Sequence, residues 1–304
     1  MNYDLCLAWN WEFDAGFVRL LQAACAQRGL AFLEVTPDSL DLILAALENG
    51  EIHFHTFFDR ASDSDPRFQP LVDRARKNGS LRINPQEKAH WAWDKATMHL
   101  EFISRGLPTP YTIILPPHCE QQHLQDLNIE LLGSSFAIKP AAGGGGWGVV
   151  LEATSPEQVY AMRQEYPFEK VLLQTQIKPT LLDGQPAWFR ILYCNGAVYP
   201  CWWDTHTHIY ARVKAEQSFR FGLRNLREIP HRIAHICKLD LFSTEIALTA
   251  DGQFLVSDYA NDPVDLRLQS AAVDGVPDVI VENISGRLAG MALQNKPPNT
   301  PFVG

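Results

Sequence analysis

Apolar runs and helical repeats alternate from the start of the chain. Residues 3–9 form a short apolar run, the pattern of a buried strand. Over residues 14–28, Phe17, Leu20, Leu21 and Cys25 recur at helical spacing, and Gly29 can stop the helix. Residues 31–35 read as a second strand. Pro37 and Asp38 open a helix through Leu40, Ile43, Leu44 and Leu47, which ends near Gly50. Residues 52–58 make a third strand. This β-α-β-α-β order predicts a small parallel α/β layer. No GxGxxG follows the first strand, so a dinucleotide site is not expected there.

The pattern then changes. A polar loop, DRASDSDP (59–66), precedes a helix over 68–76 and a short strand at 83–84. One long helix is predicted over about 86–107, ended by Gly106 and barred from continuing by Pro108 and Pro110. Strands follow at 111–115 and 136–140, the latter carrying Lys139. Next come Gly143, Gly144, Gly145, Gly146, Trp147 and Gly148, and then another strand. A glycine-rich connection between two strands is a hairpin, not the strand-loop-helix of a P-loop. Beyond a helix over 155–166 and a strand over 170–176, a strand-rich set covers 188–193, 197–203 and 208–213. Asn195-Gly196 is a strong hairpin turn within it. A helix over 229–239, an antiparallel pair at 244–249 and 254–258 joined by Asp251-Gly252, and a terminal helix over 278–294 complete the reading. No internal repeat is present. The 304 residues suit two or three lobes, and the pattern divides them into 1–85, 86–175 and 176–304.

Composition narrows the function classes. Apolar types make up 46% and charged types 20%, which excludes wholesale disorder. Lys plus Arg is 26 against 35 for Asp plus Glu, a formal charge of −9, so no nucleic-acid partner is expected. A local positive cleft for a small anion stays compatible with that balance. The 6 cysteines form no CxxC pair, which supports neither a disulfide scaffold nor structural zinc. The early acids do not resemble a secretory signal, and no run of 18 apolar residues predicts a membrane span, so a cytoplasmic setting fits.

Two constellations carry chemistry. The glycines of the hairpin permit positive φ and close backbone approach, so amides can face phosphate oxygens. Lys139 adds a point charge beside them and Trp147 a cover; a plain surface loop is the alternative. Glu245, Asp258 and Asn261 fall on the two strands joined at Asp251-Gly252, where antiparallel pairing can bring them together. Two carboxylates and a carboxamide make an all-oxygen set suited to magnesium; a solvated hairpin end carrying acids is the alternative. Arg190, Arg212 and Lys214 lie on the central strands and would oppose phosphoryl charge if they face inward. The block Trp202-Trp203-Asp204 with His206 and His208 is read either as edge packing or as a polar wall.

Taken in order, several segments resemble the ATP-grasp superfamily. They are Asp94-Lys95, GLPTP (106–110), Phe136–Pro140, the glycine hairpin, Leu172-Leu173-Gln174, Arg190 and the Glu245, Asp258, Asn261 trio, spanning about 90–270. The likeness is to the branch of glutathione synthetase and peptide–glutamate ligases. It extends to uncharacterised bacterial ATP-grasp proteins with DRASD (59–63), DKAxxH (94–99) and DYxND (258–262) segments. The resemblance implies a mixed α/β fold, with an N-terminal parallel α/β lobe preceding a two-lobed ATP-grasp unit. It implies that Lys95 and Lys139 contact ATP phosphates, that Gly143 to Gly146 close over them, and that Gln174, Thr175, Gln176 and Ile177 line adenine. Arg190 and Arg212 would stabilise the transferred group, and Glu245, Asp258 and Asn261 would hold one or two magnesium ions. Three positions depart from the family pattern: Thr175 and Trp188 stand where relatives carry acids, and Asp258-x-x-Asn261 replaces Glu-x-Asn.

The implied activity is ATP-dependent ligation of a carboxylate to an amine through an acyl phosphate, on a small metabolite or peptide. A small-molecule kinase and a non-catalytic ATP-binding regulator are the alternatives, and a homodimer stays open. The acceptor is expected where the first lobe meets the others. Asn10, Trp11, Glu12, Asp59, Arg60 and Asp63 would form one wall, and Trp203, Asp204, His206, His208 and Tyr210 the other. Arg267 is expected to grip an acceptor carboxylate with its fork.

Overall fold

The computed structural model describes residues 1–124, 127–143 and 148–297. Four strands open the chain: β1 (Asn2–Trp9), β2 (Phe32–Val35), β3 (His53–Arg60) and β4 (Leu81–Ile83). They pair in the order β2-β1-β3-β4, and every pairing is parallel. Helices α1 (Ala15–Ala26), α2 (Leu40–Glu48) and α3 (Gln69–Lys77) supply the crossovers. Leu5, Cys6, Leu7 and Ala8 are all fully buried, as a strand covered on both faces requires.

The long helix expected over 86–107 is two helices, α4 (Gln86–Trp93) and α5 (Lys95–Ser104). Asp94 takes extended backbone, and its carboxylate accepts from the amides of Ala96 at 2.9 Å and Thr97 at 3.1 Å. That side chain replaces the backbone partners the helix would have supplied, so the chain restarts there. Lys95 is thereby placed on the first turn of α5.

A second sheet contains β5 (Thr112–Leu115), β6 (Phe136–Pro140), β7 (Val150–Ala153) and, after α6 (Pro156–Glu165), β8 (Val171–Thr175). Its order is β5-β8-β6-β7 and its pairings are antiparallel. Two short strands, β9 (Leu181–Leu182) and β10 (Gln185–Pro186), lead into the third sheet. That sheet holds β11 (Trp188–Cys194), β12 (Ala197–Trp203) and β13 (Tyr210–Arg212). After α7 (Ala215–Arg220) and α8 (Asn225–Cys237), β14 (Leu241–Leu248) and β15 (Phe254–Asn261) complete it. The strands run antiparallel in the order β13-β12-β11-β14-β15. Asn195 and Gly196 both adopt positive φ, 40° and 82°, the backbone a two-residue hairpin needs.

One face of the third sheet buries Phe189, Ile191, Phe242 and Ile246 against Ile229, Ile233 and Ile236 of α8. The other face shares a core with the first lobe, in which Leu192, Cys194 and Cys201 join Leu5, Phe17 and Leu21. The terminal helix α9 (Asp278–Asn295) supplies Ile280, Val281, Ile284 and Leu288 to that core. It packs on α1 as well as on the third sheet, so the last helix ties the first lobe to the third. Asn84 adds a polar tie. Its amide oxygen accepts from the Asp240 amide at 2.7 Å and the Leu241 amide at 3.1 Å, and its NH2 donates to the Leu241 carbonyl at 2.6 Å. The start of β14, and with it the strand bearing Glu245, is set against the first lobe.

Candidate active site

Cross-strand pairing assembles the acids. Arg190 on β11 lies directly opposite Glu245 on β14, which lies opposite Asp258 on β15. Directly opposed residues share a face, so the three side chains form a row. Asn261 is three positions beyond Asp258, which in a regular strand would put it on the other face. The register shifts on both sides of Glu245, each time leaving an extra residue on β15. Such bulges re-aim side chains. Here Asn261 returns to the row and donates to Asp258 Oδ2 at 2.7 Å. The Asp-x-x-Asn spacing is thus accommodated by an irregular strand.

Each group in the row is partly committed. Glu245 Oε1 accepts from Arg190 Nη1 at 2.9 Å, and its Oε2 from the indole N–H of Trp188 at 2.9 Å. A carboxylate has about four acceptor positions, so both oxygens keep capacity for a cation. Burial pushes the Glu245 carboxyl up, Arg190 pulls it down, and Asp258 pushes it up again, with a net rise. Arg190 also donates to Ser243 Oγ at 3.3 Å and lies 5.0 Å from the Trp203 ring centre. Burial disfavours its charge, but Tyr210, Glu245, Asp258 and Asp265 more than compensate and hold it protonated. Its Nε is buried and has no partner among the described residues.

Two lysines face this row from the second sheet and α5. Lys139 on β6 donates to Gln174 Oε1 at 2.9 Å. Burial pushes its ammonium below the usual lysine range, while Asp258 and Glu245 pull it back up. The Lys95 ammonium donates to the Gly143 carbonyl, and its backbone N–H donates to the Ala141 carbonyl at 2.9 Å. It too is depressed by burial, against Asp258, Asp94 and Glu169. Gly143 has a φ of 102°, open to glycine and strained for other residues. Gly144, Gly145, Gly146 and Trp147 lie outside the described residues.

The hinge segment divides. Thr175 donates its amide to the Tyr111 carbonyl at 3.0 Å, and the Gln176 side chain donates to the Leu151 carbonyl. Ile177 is half-buried. Gln174, expected to line adenine, is only 2% exposed and lies beneath Lys139. Its NH2 donates to Thr112 Oγ1 at 3.0 Å and to the Tyr259 hydroxyl at 3.1 Å, and that hydroxyl meets His99 Nδ1 at 2.7 Å. The directions follow from the ammonium end. Lys139 can only donate, so Gln174 presents its oxygen there and its NH2 to Tyr259. Tyr259 then donates to His99 Nδ1, which is unprotonated. Burial pushes the His99 ring below its ordinary range, in agreement. Tyr259 and His99 received no role from sequence reasoning; their signal was a place inside the DYxND and DKAxxH segments.

Two arginines depart from expectation, and a third stands at the rim of the row. Arg212 is on the row's face but at the far edge, opposite Cys201, and its side chain is exposed. Arg267 cannot offer a free fork to an acceptor. It donates to Asp265 at 2.7 Å and to Asp274 at 2.9 Å, and those bonds, Asp265 first, raise its basicity. Arg60 is buried and donates to both oxygens of Asp14, at 2.7 and 2.8 Å, and to the Val264 carbonyl at 2.9 Å. Both are structural clamps, because their donors are filled by the chain itself.

Arg267 reaches one of the two expected acceptor walls. Arg267 lies 5.6 Å from the Trp11 ring centre. Asn10 donates to Ser64 Oγ at 2.9 Å, joining the loops after β1 and β3. Asp59 accepts from the amides of Ala61 and Ser62, each at 3.1 Å, and burial pushes the Asp63 carboxyl up, as does Asp59. Glu12 is exposed. On the other side, His208 stacks on Trp203 with ring centres 5.2 Å apart, and Tyr210 packs on the same indole. Asp204 accepts from the His206 amide at 2.8 Å and is spent on its own turn. Cys194 and Cys201 are fully buried, and burial pushes each thiol up to about 12, which suits packing and not nucleophilic chemistry.

No family model matches the sequence, and no curated protein matches it. Solved structures do. D-alanine–D-alanine ligase from Bacillus anthracis complexed with ATP superposes with a TM-score of 0.66 at 12% identity, over 96% of its chain and 97% of this one. A RimK domain ATP-grasp protein from Sphaerobacter thermophilus gives 0.62 at 20% identity, over 99% of its chain and 95% of this one. The ATP-grasp ligase PsnB, complexed with precursor peptide PsnA2 and AMPPNP, gives 0.62 at 13%, over 98% of its chain and 96% of this one.

The chain has the ATP-grasp fold.

Within that fold the first sheet forms the parallel lobe, and the second and third sheets form the two lobes that follow. Lys95, Lys139, Arg190, Glu245, Asp258 and Asn261 converge where those two lobes face each other. No helix among the described residues is long and apolar enough to cross a membrane.

Proposed function

We propose that this chain is an ATP- and magnesium-dependent carboxylate–amine ligase acting on a small metabolite or peptide, with 1–85, 86–175 and 176–304 working as three lobes. The observation that carries the reading is the meeting of two incompletely neutralised lysines, Lys95 and Lys139, with an oxygen-rich row of Glu245, Asp258 and Asn261. The residues fit the groups they would hold. Glu245, Asp258 and Asn261 present only oxygen ligands, the preference of magnesium. The Nε of Arg190, buried and without a partner among the described residues, suits a phosphoryl oxygen.

Magnesium bound there would neutralise phosphate charge and orient the transferred group. The chain's own residues do the rest. Lys95 and Lys139 bind phosphates, and Gln174 holds the Lys139 ammonium in place. Arg190 opposes charge on the phosphoryl group passing from ATP to a carboxylate with release of ADP. The amine then attacks the acyl carbonyl, the carbon–oxygen bond to phosphate breaks, and the amine nitrogen gives up a proton as phosphate leaves. No protein nucleophile takes part. Positioning and electrostatic stabilisation suffice for such chemistry.

One observation favours a second reading, a nucleotide-binding regulator without turnover. Trp188 occupies one oxygen of Glu245 with its indole N–H, which competes with a metal for that oxygen. A panel of carboxylates and amines with ATP and magnesium, scored for free phosphate and for hydroxamate when hydroxylamine replaces the amine, separates the readings. A ligase gives phosphate and hydroxamate. A stable phosphate ester identifies a kinase, and nucleotide binding without either product identifies a regulator.

A further inference from the structure

Arg212, at the far edge of the row, has other company. It lines a groove of about 1090 Å³ between α1, α8, α9 and the turn joining β11 to β12. Arg28, Arg227, His231 and Arg287 line the same groove, and Glu282 is the one acid among its described lining residues. In a chain of net charge −9 this is an unusual concentration of one sign.

These arginines differ from most others in the protein. Arg60, Arg67, Arg82, Arg105, Arg190, Arg220 and Arg267 each meet a carboxylate. None of the four in the groove forms an ion pair among the described residues. Arg28 donates to the Ala24 carbonyl at 2.9 Å, Arg227 to the Val198 carbonyl at 3.4 Å and Arg287 to the Asn195 carbonyl at 3.1 Å. A guanidinium has five N–H donors, so these bonds, with one from Arg287 to the Tyr199 hydroxyl, anchor three of the heads and leave most donors unused. Four guanidiniums around one groove, against a single carboxylate among its described lining residues, favour an incoming anion.

We propose that this groove binds a small polyvalent anion, carrying two or more phosphate or carboxylate groups. Arginine in place of lysine favours planar, bidentate oxyanions. The guanidiniums come from the turn after α1, from β13, α8 and α9, too many elements for one oxyanion to satisfy. The volume matches the upper end of small-molecule pockets, about 300–1,000 Å³. A second cavity of about 680 Å³ shares Arg212 and Arg227 and adds Lys214, which extends the cationic lining along β13. The site is separate from the nucleotide site and shares no lining residue with it. Arg212 lies two strands from Arg190 in the sheet, roughly 10 Å at ordinary strand spacing. The inference does not depend on the ligase reading.

Calorimetric titration of the full chain with inorganic pyrophosphate and, separately, with citrate, both without magnesium, tests it. At least one should bind saturably, and acetate at matched ionic strength should not displace it. Pyrophosphate alone identifies a phosphate ligand, and citrate alone a polycarboxylate. Arg28→Ala with Arg287→Ala should weaken binding by about tenfold or more, as should Arg212→Ala with Arg227→Ala, so either folded pair suffices. Lys139→Met should leave it unchanged. A pyrophosphate-soaked crystal of the unsubstituted chain, with density in the groove, would support the site independently of any variant. The proposal fails if neither anion binds, or if binding survives both arginine pairs and disappears in Lys139→Met, which would place the anion at the nucleotide site.

Discussion

Arg60 and Lys139 are both cations drawn away from bulk water, and the chain neutralises them differently. Arg60 grips both oxygens of Asp14, and the two side chains are only 4% and 1% exposed. Lys139 has a neutral amide oxygen as its hydrogen-bond partner, with Asp258 and Glu245 acting only through space. The same contrast separates Arg267, held by two aspartates, from Arg190, whose Nε is buried without a partner among the described residues. A charge completed by its own chain is part of the scaffold. A charge left with a neutral partner makes the free protein less stable and gives an incoming anion something to relieve.

The largest expected effect is on the completed side. Arg60→Met leaves Asp14 buried and unpaired and should lower unfolding free energy by about 3–5 kcal/mol. Denaturant titration measures this, and ATP affinity of the folded fraction should be unchanged. An unaltered midpoint would show that the pair is not a scaffold element.

Asp262 is the acidic counterpart of an uncompleted charge. Burial, offset in part by a hydrogen bond from Asn84 and by Arg60, pushes its carboxyl from 3.8 up to about 7. Across that interval the folded chain binds more protons than the unfolded chain, so stability falls as pH rises. Asp262→Asn should remove on the order of 2 kcal/mol of that fall between about pH 5 and 7. Melting temperatures across this range, compared between variant and parent, measure the difference; parallel curves would remove Asp262 as the cause.

The smallest expected effect sharpens the role of the relay. Tyr259→Phe removes one of the two acceptors of the Gln174 NH2 and leaves Thr112 Oγ1, so the amide that meets Lys139 is held less firmly. ATP affinity should fall by about fivefold, as expected for one hydrogen bond of about 1 kcal/mol. Gln174→Leu should cost more than Tyr259→Phe, since it removes the Lys139 partner itself. Equal affinities in both variants would mean that the relay does not position the lysine.

Much of the fold was legible because periodicity reports burial directly. The alternation of short apolar runs with helical repeats over residues 3–58 predicted the parallel layer, and Asn195-Gly196 predicted its hairpin. What escaped depends on partners or irregularities that periodicity does not encode. Helical spacing continues across Asp94, yet the side chain of that residue ends one helix and caps the next. The bulges that bring Asn261 beside Asp258 are departures from the two-residue period itself. Arg60 reads as part of an acceptor wall and Arg267 as an available fork, because Asp14 is 46 positions from the first and nothing in the local text shows that Asp265 and Asp274 close around the second. Arg212 read as an inward cation, but strand alternation fixes a face and not how far along the row a side chain stands. The place of Gln174 at its strand end is legible, but its contact with Lys139 arises only when β6 and β8 pair.

The central claim is that Lys139 and the Glu245, Asp258, Asn261 row form one nucleotide and metal site. Calorimetric titration of the intact chain with ATP, with and without magnesium, in parallel with Lys139→Met and the double variant Asp258→Ala, Asn261→Ala, tests it most directly. The account predicts saturable binding strengthened by magnesium. It also predicts about a hundredfold loss in Lys139→Met, from losing a charge-assisted contact of up to about 3 kcal/mol, and no magnesium dependence in the double variant. Parent-like, magnesium-dependent affinity in both variants would contradict it.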